Sequence, residues 1–118
     1  MTMKVLLVDD EKKFAMMLAR RLELRGIDVD YVHTGEAAID NARKNQYDIA
    51  ILDVKMPGIG GIELKRKLIE LAPGMKFIFL TGHGSGDDFE TGSTEGSFYL
   101  TKPLRIEKLI EILHDLTD

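Results

Sequence analysis

Three aspartates follow short apolar runs that have the length of β-strands. Asp9 and Asp10 end the run in "KVLLVDD", and Asp53 follows the apolar part of "AILDVKMPGIGG". Carboxylates that converge within a few ångströms repel one another, so at neutral pH they tend to hold a proton or recruit a cation. Oxygen ligands select a hard ion, and Mg²⁺ fits because it accepts one or two carboxylates and keeps water and phosphate oxygens as its other ligands. The aspartates therefore predict a Mg²⁺ site with phosphate as its natural partner.

Two further polar residues, Thr81 and Lys102, follow the fourth and fifth apolar runs. A metal-held carboxylate can act as the nucleophile toward a phosphoryl group, while a lysine neutralises charge on the phosphoryl oxygens. Lys102 can supply that ammonium, and the Thr81 hydroxyl can donate a hydrogen bond to another phosphoryl oxygen. Each residue taken singly is explained as well by an ordinary polar strand end. Five of them following strands indicate a site.

The elements that must position these residues are short strands alternating with helices. Mostly continuous apolar runs, typical of strands covered on both faces, predict strands at residues 4–8, 27–32, 48–52, 76–80 and 97–100. The second run alternates instead, with Ile27, Val29 and Tyr31 on one side and Asp28 and Asp30 on the other, which indicates a half-exposed edge strand.

The segments between the strands carry apolar residues at helical spacing. Thr34 is a predicted N-cap for the second helix, and Pro73 with Gly74 ends the third. Alternating strands and helices predict the α/β class, with a parallel sheet between helices and the ligand site beyond the carboxyl ends of the strands. The apolar helical positions are Phe14, Met17, Leu18 and Leu22; Ala38, Ile39 and Ala42; Leu64, Leu68 and Leu71; and Ile106, Leu109, Ile110, Leu113 and Leu116.

Composition excludes several function classes. The 118 residues are the size of one domain, and 16 basic against 20 acidic residues give a net charge of −4. The basic residues are spread out except for "KRK" at 65–67, which we interpret as the solvated face of a helix, so no nucleic-acid surface is expected. The chain has no cysteine, no signal sequence and no run of about 20 apolar residues, which predicts a cytoplasmic protein without membrane contact.

The sequence lacks the motifs of zinc sites and of nucleotide-binding loops. His33, His83 and His114 lack the spacing of zinc ligands. Neither "GIGG" nor "GHGSG" completes a glycine-rich nucleotide-binding motif.

The pattern resembles the receiver domains of bacterial two-component response regulators over essentially the whole chain. Those domains carry an acidic pair after strand one, a phosphoacceptor aspartate after strand three, a threonine or serine after strand four, and an aromatic residue, a lysine and a proline near strand five. The matching residues here are Asp9, Asp10, Asp53, Thr81, Tyr99, Lys102 and Pro103. The resemblance implies one CheY-like, flavodoxin-like domain: a doubly wound five-stranded parallel sheet in the order 2-1-3-4-5, with five helices.

The resemblance also implies roles for these residues. Asp53 would accept a phosphoryl group from a histidine kinase or a histidine phosphotransfer protein. Mg²⁺ would be bound by Asp10, Asp53 and the backbone carbonyl of Lys55, with Asp9 holding metal-bound water. The Lys102–Pro103 peptide bond would be cis. Such a domain is not an enzyme in the ordinary sense, although it supports its own phosphotransfer and dephosphorylation.

In the family, phosphorylation draws the Thr81 equivalent inward and lets the Tyr99 equivalent rotate, which changes the surface of the fourth helix, fifth strand and fifth helix. Alternatively, Tyr99 is a static strand side chain. The output partner is unknown, and an apolar excess on the last helix predicts a homodimer through this surface. Glycines in residues 82–97 predict a short or frayed fourth helix. Asp87, Asp88, Glu90 and Glu95 predict an acidic, mobile surface, or simply a loose loop.

Two other classes share parts of this pattern. A magnesium-dependent phosphatase with an aspartyl intermediate would want a second acid two residues after its nucleophile, where this chain has Lys55. A flavodoxin-like cofactor-binding protein would need a phosphate-binding loop after strand one, where this chain has acids that repel phosphate. The chain ends about where a receiver domain ends, so we expect residues 1–118 to be the receiver domain without an output domain, either stand-alone or excised from a longer regulator.

Overall fold

The fold is a parallel sheet of five strands with helices on both faces. The computed structural model describes residues 3–82 and 98–117. The strands are β1 (Lys4–Val8), β2 (Asp28–Val32), β3 (Ile49–Asp53), β4 (Lys76–Thr81) and β5 (Phe98–Thr101). All neighbouring strands pair in parallel, in the order β2-β1-β3-β4-β5. The predicted α/β class and strand order are confirmed.

Four helices lie within the described residues: α1 (Lys12–Glu23), α2 (Gly35–Lys44), α3 (Gly61–Leu71) and α4 (Ile106–Thr117). The sequence predicts five, and α4 corresponds to the last of them. The predicted fourth helix would fall between β4 and β5, so it lies outside the described residues, as do His83 and the acidic residues at 87–95.

Two predicted helix signals have the expected structural effect. The Thr34 hydroxyl accepts a hydrogen bond from the Ala37 backbone N–H at 3.1 Å, which satisfies one of the free donors in the first turn of α2. α3 ends at Leu71, two residues before Pro73. Both signals act locally, so they can be predicted without knowledge of the tertiary fold.

The core lies in two layers because side chains alternate across the central strands. Val5 and Leu7 of β1 face the layer under α1 and α4, whereas Leu6 and Val8 face the layer under α2 and α3. Burial on both faces explains why β1, β3 and β4 are continuous apolar runs.

Three apolar side chains that the sequence assigns to the interior are exposed: Met17, Tyr31 and Leu71. On α1, Ala15 and Ala19 complete the buried stripe with Leu18 and Leu22, so Met17 lies to the side of it. Tyr31 lies near the end of edge strand β2. Small alanines on an inner face allow a helix to approach its sheet closely, and spacing counts based on large residues overlook them.

Lys65 contradicts the interpretation of residues 65–67 as a wholly solvated face. Arg66 and Lys67 are exposed, but Lys65 is only 6% exposed. Its ammonium lies 5.7 Å from the ring centroid of Phe77 and 5.9 Å from that of Phe79, which is within cation–π range.

The last helix also packs differently from our expectation. Leu109, Ile112 and Leu113 of α4 are buried, and its remaining apolar side chains pack against the same core layer: Ile106, Ile110 and Leu116. α4 therefore presents no second apolar stripe, and the expected homodimer loses this support.

The start of α3 packs directly against the backbone of β3, which makes Gly61 sensitive to substitution. A Cβ atom at Gly61 would lie 2.4 Å from the Asp53 carbonyl oxygen, closer than van der Waals contact allows. We expect Gly61→Ala to lower the free energy of unfolding by about 1–3 kcal/mol in urea titrations, because rigid backbone must shift.

Gly74→Ala is the matched control. A Cβ atom at Gly74 meets no heavy atom within 4 Å among the described residues. We expect that variant to stay within about 0.5 kcal/mol of the wild type. Equal stability of the two variants would contradict the close approach of α3 to β3.

Candidate functional site

Three carboxylates gather at the carboxyl edge of the sheet. Val8 pairs with Leu52 in the β1–β3 register, so Asp9 and Asp53, the next residues, lie on neighbouring strands. Asp9, Asp10 and Asp53 each offer an oxygen, and these three atoms lie within 4.8 Å of one another. Asp9 is 0% exposed and Asp53 is 4% exposed, whereas Asp10 is open to solvent. The site therefore has a buried base and one exposed side.

Lys102 brings a positive charge to this cluster. Its Nζ lies 2.8 Å from Asp9 Oδ2 and 3.9 Å from Asp53 Oδ2, and it also contacts the Glu11 carboxylate. The ammonium lies 4.4 Å from the ring centroid of Phe14, on the inner side of α1. Among the described residues, Asp9 Oδ2 accepts no well-directed hydrogen bond, so its close contact with Lys102 is mainly an ion pair.

The backbone around Lys102 links it to the end of β4. The Lys102 N–H donates to the Thr81 carbonyl oxygen at 2.7 Å, and the Lys102–Pro103 peptide bond is cis. Thr81 is buried and its β-ladder partner is Thr101. These contacts fix the position of the Lys102 backbone, from which the side chain extends to the carboxylates.

Tyr99 and Lys55 occupy different surroundings. Tyr99 is partly buried, pairs with Phe79 in the β4–β5 register, and packs against the core layer under α2 and α3. Lys55 is exposed two residues after Asp53. It lines an open cavity of about 310 Å³ together with Asp10, Glu11, Asp53, Gly82 and Lys102. The structure thus places Lys55 beside Asp10, Asp53 and Lys102. Tyr99 lies on β5, which neighbours β4.

The charges of the cluster shift two pKa values. Burial and the negative charges of Asp9 and Asp10 raise the pKa of Asp53 to about 7, although Lys102 acts in the opposite direction. Burial disfavours the charged form of Lys102, but the carboxylates of Asp9, Glu11 and Asp53 outweigh it and raise the lysine pKa. The site as a whole has more negative charge than Lys102 alone neutralises.

These residues fit a divalent cation. The donors are carboxylate oxygens, the ligands that hard ions prefer, and the sequence has no cysteine that would favour a softer metal. Asp9 Oδ2 is a buried oxygen without a well-directed hydrogen bond. A cation between Asp10 and Asp53 would relieve the repulsion that raises the pKa of Asp53.

The sequence did not assign a role to two residues that contact Lys102. Glu11 contacts Lys102 and directly follows the acidic pair, so its position next to Asp10 was the sequence feature that could have indicated a role in the site. Phe14 was placed correctly on the inner side of α1, but its contact with a cation has no sequence signature.

Comparison with known proteins gives one consistent result. Residues 5–114 match the response regulator receiver domain family. The chain is 36% identical over 114 residues to the transcriptional regulatory protein TrcR of Mycobacterium tuberculosis, covering 96% of this chain and 44% of TrcR. It is 37% identical over 107 residues to the uncharacterized transcriptional regulatory protein YkoG of Bacillus subtilis, covering 90% of this chain and 47% of YkoG. The chain therefore spans about half the length of these curated relatives.

Solved structures agree with the family match. A CheY-like response regulator receiver domain protein from Methanospirillum hungatei superposes with a TM-score of 0.90 at 28% identity, covering 99% of this chain and 95% of that one. A response regulator protein from Burkholderia pseudomallei, solved with a phosphorylated aspartic acid, a calcium ion and citrate, gives a TM-score of 0.86 at 29% identity, covering 94% of this chain and 66% of that one.

Proposed function

The chain belongs to the response regulator receiver domain family of two-component signalling, and from this premise we propose that Asp53 is its phosphoacceptor. The observation that carries the proposal is the gathering of Asp9, Asp10 and Asp53 around one point, with the Lys102 ammonium 3.9 Å from Asp53. Family membership implies a histidine kinase as a partner in general. The specific donor in the proposal is a phosphohistidine of that kinase or of a histidine phosphotransfer protein.

In the proposed transfer, an ionised Asp53 oxygen attacks the phosphorus atom of the phosphohistidine. The new O–P bond forms as the P–N bond breaks, and the departing imidazole nitrogen takes up a proton. Lys102 is close enough to neutralise charge on a phosphoryl oxygen at Asp53. Asp9 holds the ammonium in that position through its 2.8 Å contact.

The proposed cofactor is Mg²⁺. Asp10, Asp53 and the backbone carbonyl of Lys55 would hold it, with Asp9 acting through metal-bound water. When bound, the ion would neutralise negative charge on the acceptor and on the phosphoryl oxygens. The support for this assignment is the oxygen-only donor set and the cavity that Asp10, Asp53 and Lys55 line together.

We also propose a route from the phosphoryl group to a partner surface. Thr81 would donate its hydroxyl hydrogen bond to a phosphoryl oxygen, and Tyr99 would rotate in response. Support comes from Thr81 ending the strand beside β3 and from the partly buried position of Tyr99 on the next strand. The output surface would then include β5 and α4. We also propose homodimerisation through this output surface. The feature that supports it is the exposed Phe98 side chain on edge strand β5.

The wider assignments follow from the same premise. As a receiver domain, the chain is a signalling module rather than an enzyme, and we propose that it catalyses only its own phosphorylation and dephosphorylation. We take residues 1–118 as one receiver domain that acts in the cytoplasm and does not itself bind nucleic acid. Within the described residues, no helix combines the length and apolarity needed to cross a bilayer.

The proposal is tested by measuring how phosphorylation of the chain depends on Mg²⁺. With Mg²⁺ and an acyl phosphate such as acetyl phosphate, intact-mass measurement should detect a single phosphoryl adduct that is stable in acid and labile in base. Removing divalent ions with a chelator should slow its formation by about a hundredfold, because several kcal/mol of charge stabilisation are lost. Restoring Mg²⁺ should restore the rate. An unchanged rate in the chelator would contradict the metal site, and turnover of many phosphate esters would indicate the phosphatase class instead.

A further inference from the structure

His33 connects the end of β2 to the loop that carries the acidic pair. Its Nδ1 lies 3.0 Å from the backbone carbonyl oxygen of Asp9. A carbonyl oxygen only accepts hydrogen bonds, so Nδ1 must carry the hydrogen and donate it. The ring also meets Tyr31 edge-on, with centroids 5.8 Å apart and planes at 63°. His33 is thus held on two sides, and its Nδ1 is committed to the loop.

The contact completes the anchoring of Asp9. The Asp9 N–H donates to the Val32 carbonyl oxygen at 3.1 Å, and Asp9 Oδ1 accepts from the Glu11 N–H at 2.9 Å. Asp9 Oδ2 faces Lys102 at 2.8 Å. Only the carbonyl oxygen remains, and His33 binds it. All four polar atoms of this buried residue therefore have a defined contact.

The carbonyl of Asp9 belongs to the peptide unit that joins Asp9 to Asp10. Because a peptide unit is planar, fixing the direction of its C=O also fixes the direction in which the Asp10 backbone starts. Asp10 is exposed, so packing holds its side chain less firmly than it holds Asp9 and Asp53. The orientation of this peptide unit therefore sets the point from which the Asp10 side chain extends to the neighbourhood of Asp53.

We infer that His33 is a positioning residue for the divalent ion: its hydrogen bond to the Asp9 carbonyl holds the Asp9–Asp10 peptide so that the Asp10 carboxylate faces Asp53. This role rests on the proposed function, since it concerns the same Mg²⁺ site. His33 acts through the backbone and is not itself a ligand. Without it, Mg²⁺ must order the loop on binding, which lowers the affinity.

Three substitutions separate this role from general packing. Asn places an amide N–H close to the position of histidine Nδ1, whereas Gln places it about one bond further out and Ala removes it. Calorimetric titration with Mg²⁺ should give about fivefold weaker binding for His33→Ala and His33→Gln, the effect of one net hydrogen bond. His33→Asn should stay within about twofold of the wild type. His114→Ala, an exposed histidine of α4, is the matched control and should bind as the wild type does.

A second measurement needs no metal. The Glu11 amide, which donates to Asp9 Oδ1, should exchange its hydrogen about fivefold faster in His33→Ala and His33→Gln than in the wild type or His33→Asn. If the alanine variant fails to fold, the comparison of Asn with Gln decides alone. Equal Mg²⁺ affinity across all variants, with normal binding by the wild type, would overturn the role of His33 and leave the proposed function intact. A wild type that takes up no divalent ion would overturn the metal site and this role together.

Discussion

Asp53→Asn is expected to abolish the phosphoryl adduct that the wild type forms with an acyl phosphate and Mg²⁺. The amide that replaces the carboxylate is not an anionic nucleophile, and it is a weaker ligand for a hard cation than a carboxylate, so the initial rate should fall by about a thousandfold or more. The measurement is intact mass against time at fixed donor concentration.

Asp48→Asn is the matched control for this rate. Asp48 directly precedes the same strand, β3, but at the opposite edge of the sheet, where its Oδ2 accepts from the Lys4 N–H at 2.8 Å. That variant should be phosphorylated at the wild-type rate. An adduct on Asp53→Asn that formed as fast as on the wild type would show that another residue is the acceptor.

The same variant should be more stable than the wild type in metal-free solution above neutral pH. Asp53 has its pKa raised from 3.8 to about 7 by burial and by neighbouring carboxylates. The folded state therefore binds this proton more tightly than the unfolded state, and its stabilising effect, complete below pH 3.8, is lost as the pH rises toward 7. Asn has no charge to lose.

At pH 8 we expect Asp53→Asn to exceed the wild type by about 1–3 kcal/mol in free energy of unfolding, with the difference shrinking as the pH falls toward 4. Mg²⁺ should reverse the order, because it stabilises only the protein that binds it. Urea titrations at the two pH values, with and without Mg²⁺, measure both effects. A difference that does not depend on pH would contradict the raised pKa of Asp53.

Lys102→Met is the second substitution with a large expected effect. It removes the only cation that the described structure places in contact with Asp9, and Asp9 is fully buried. An unpaired buried carboxylate is strongly unfavourable, so we expect a loss of about 2–4 kcal/mol in free energy of unfolding at pH 8. Phosphorylation should slow by about a hundredfold, because the ammonium beside Asp53 no longer neutralises the transferred group.

Two further variants serve as controls for the effects of Lys102→Met. Lys108→Met removes an exposed lysine of α4 and should change neither quantity measurably. Lys102→Arg keeps the charge but not the shape of the ammonium, so it should recover part of the stability and little of the rate. Wild-type phosphorylation in a folded Lys102→Met protein would remove the lysine from the proposed mechanism.

The site was predictable where it depends on strand topology. Parallel strands bring their carboxyl ends to one edge, and the pairing of Val8 with Leu52 then places Asp9 beside Asp53. Lys102 is a different case, because it follows β5, which is three strands away from β1 in the sheet. Its contact with Asp9 depends on the path of the chain after β5 and on a long side chain. The position of Lys102 after the fifth apolar run predicted that the lysine belongs to the site, but not that it forms an ion pair with Asp9.

The residues that were missed or misassigned make contacts without a periodic signal. His33 donates to a backbone carbonyl, and any residue type can supply such an acceptor. Lys65 is buried with its ammonium near two rings of β4, a tertiary contact that a run of three basic residues does not reveal. Helix caps such as Thr34 are decided within one turn and were predicted correctly.

The assignment of Asp53 as the phosphoacceptor is tested by locating the phosphoryl group chemically. Borohydride reduces an acyl phosphate on aspartate to homoserine, and peptide mapping then identifies the position. After incubation of the wild type with Mg²⁺ and acetyl phosphate, we expect homoserine at position 53 and at no other acidic residue. Homoserine at Asp9, Asp10 or elsewhere, or none in a sample that carries the adduct, would contradict phosphorylation of Asp53.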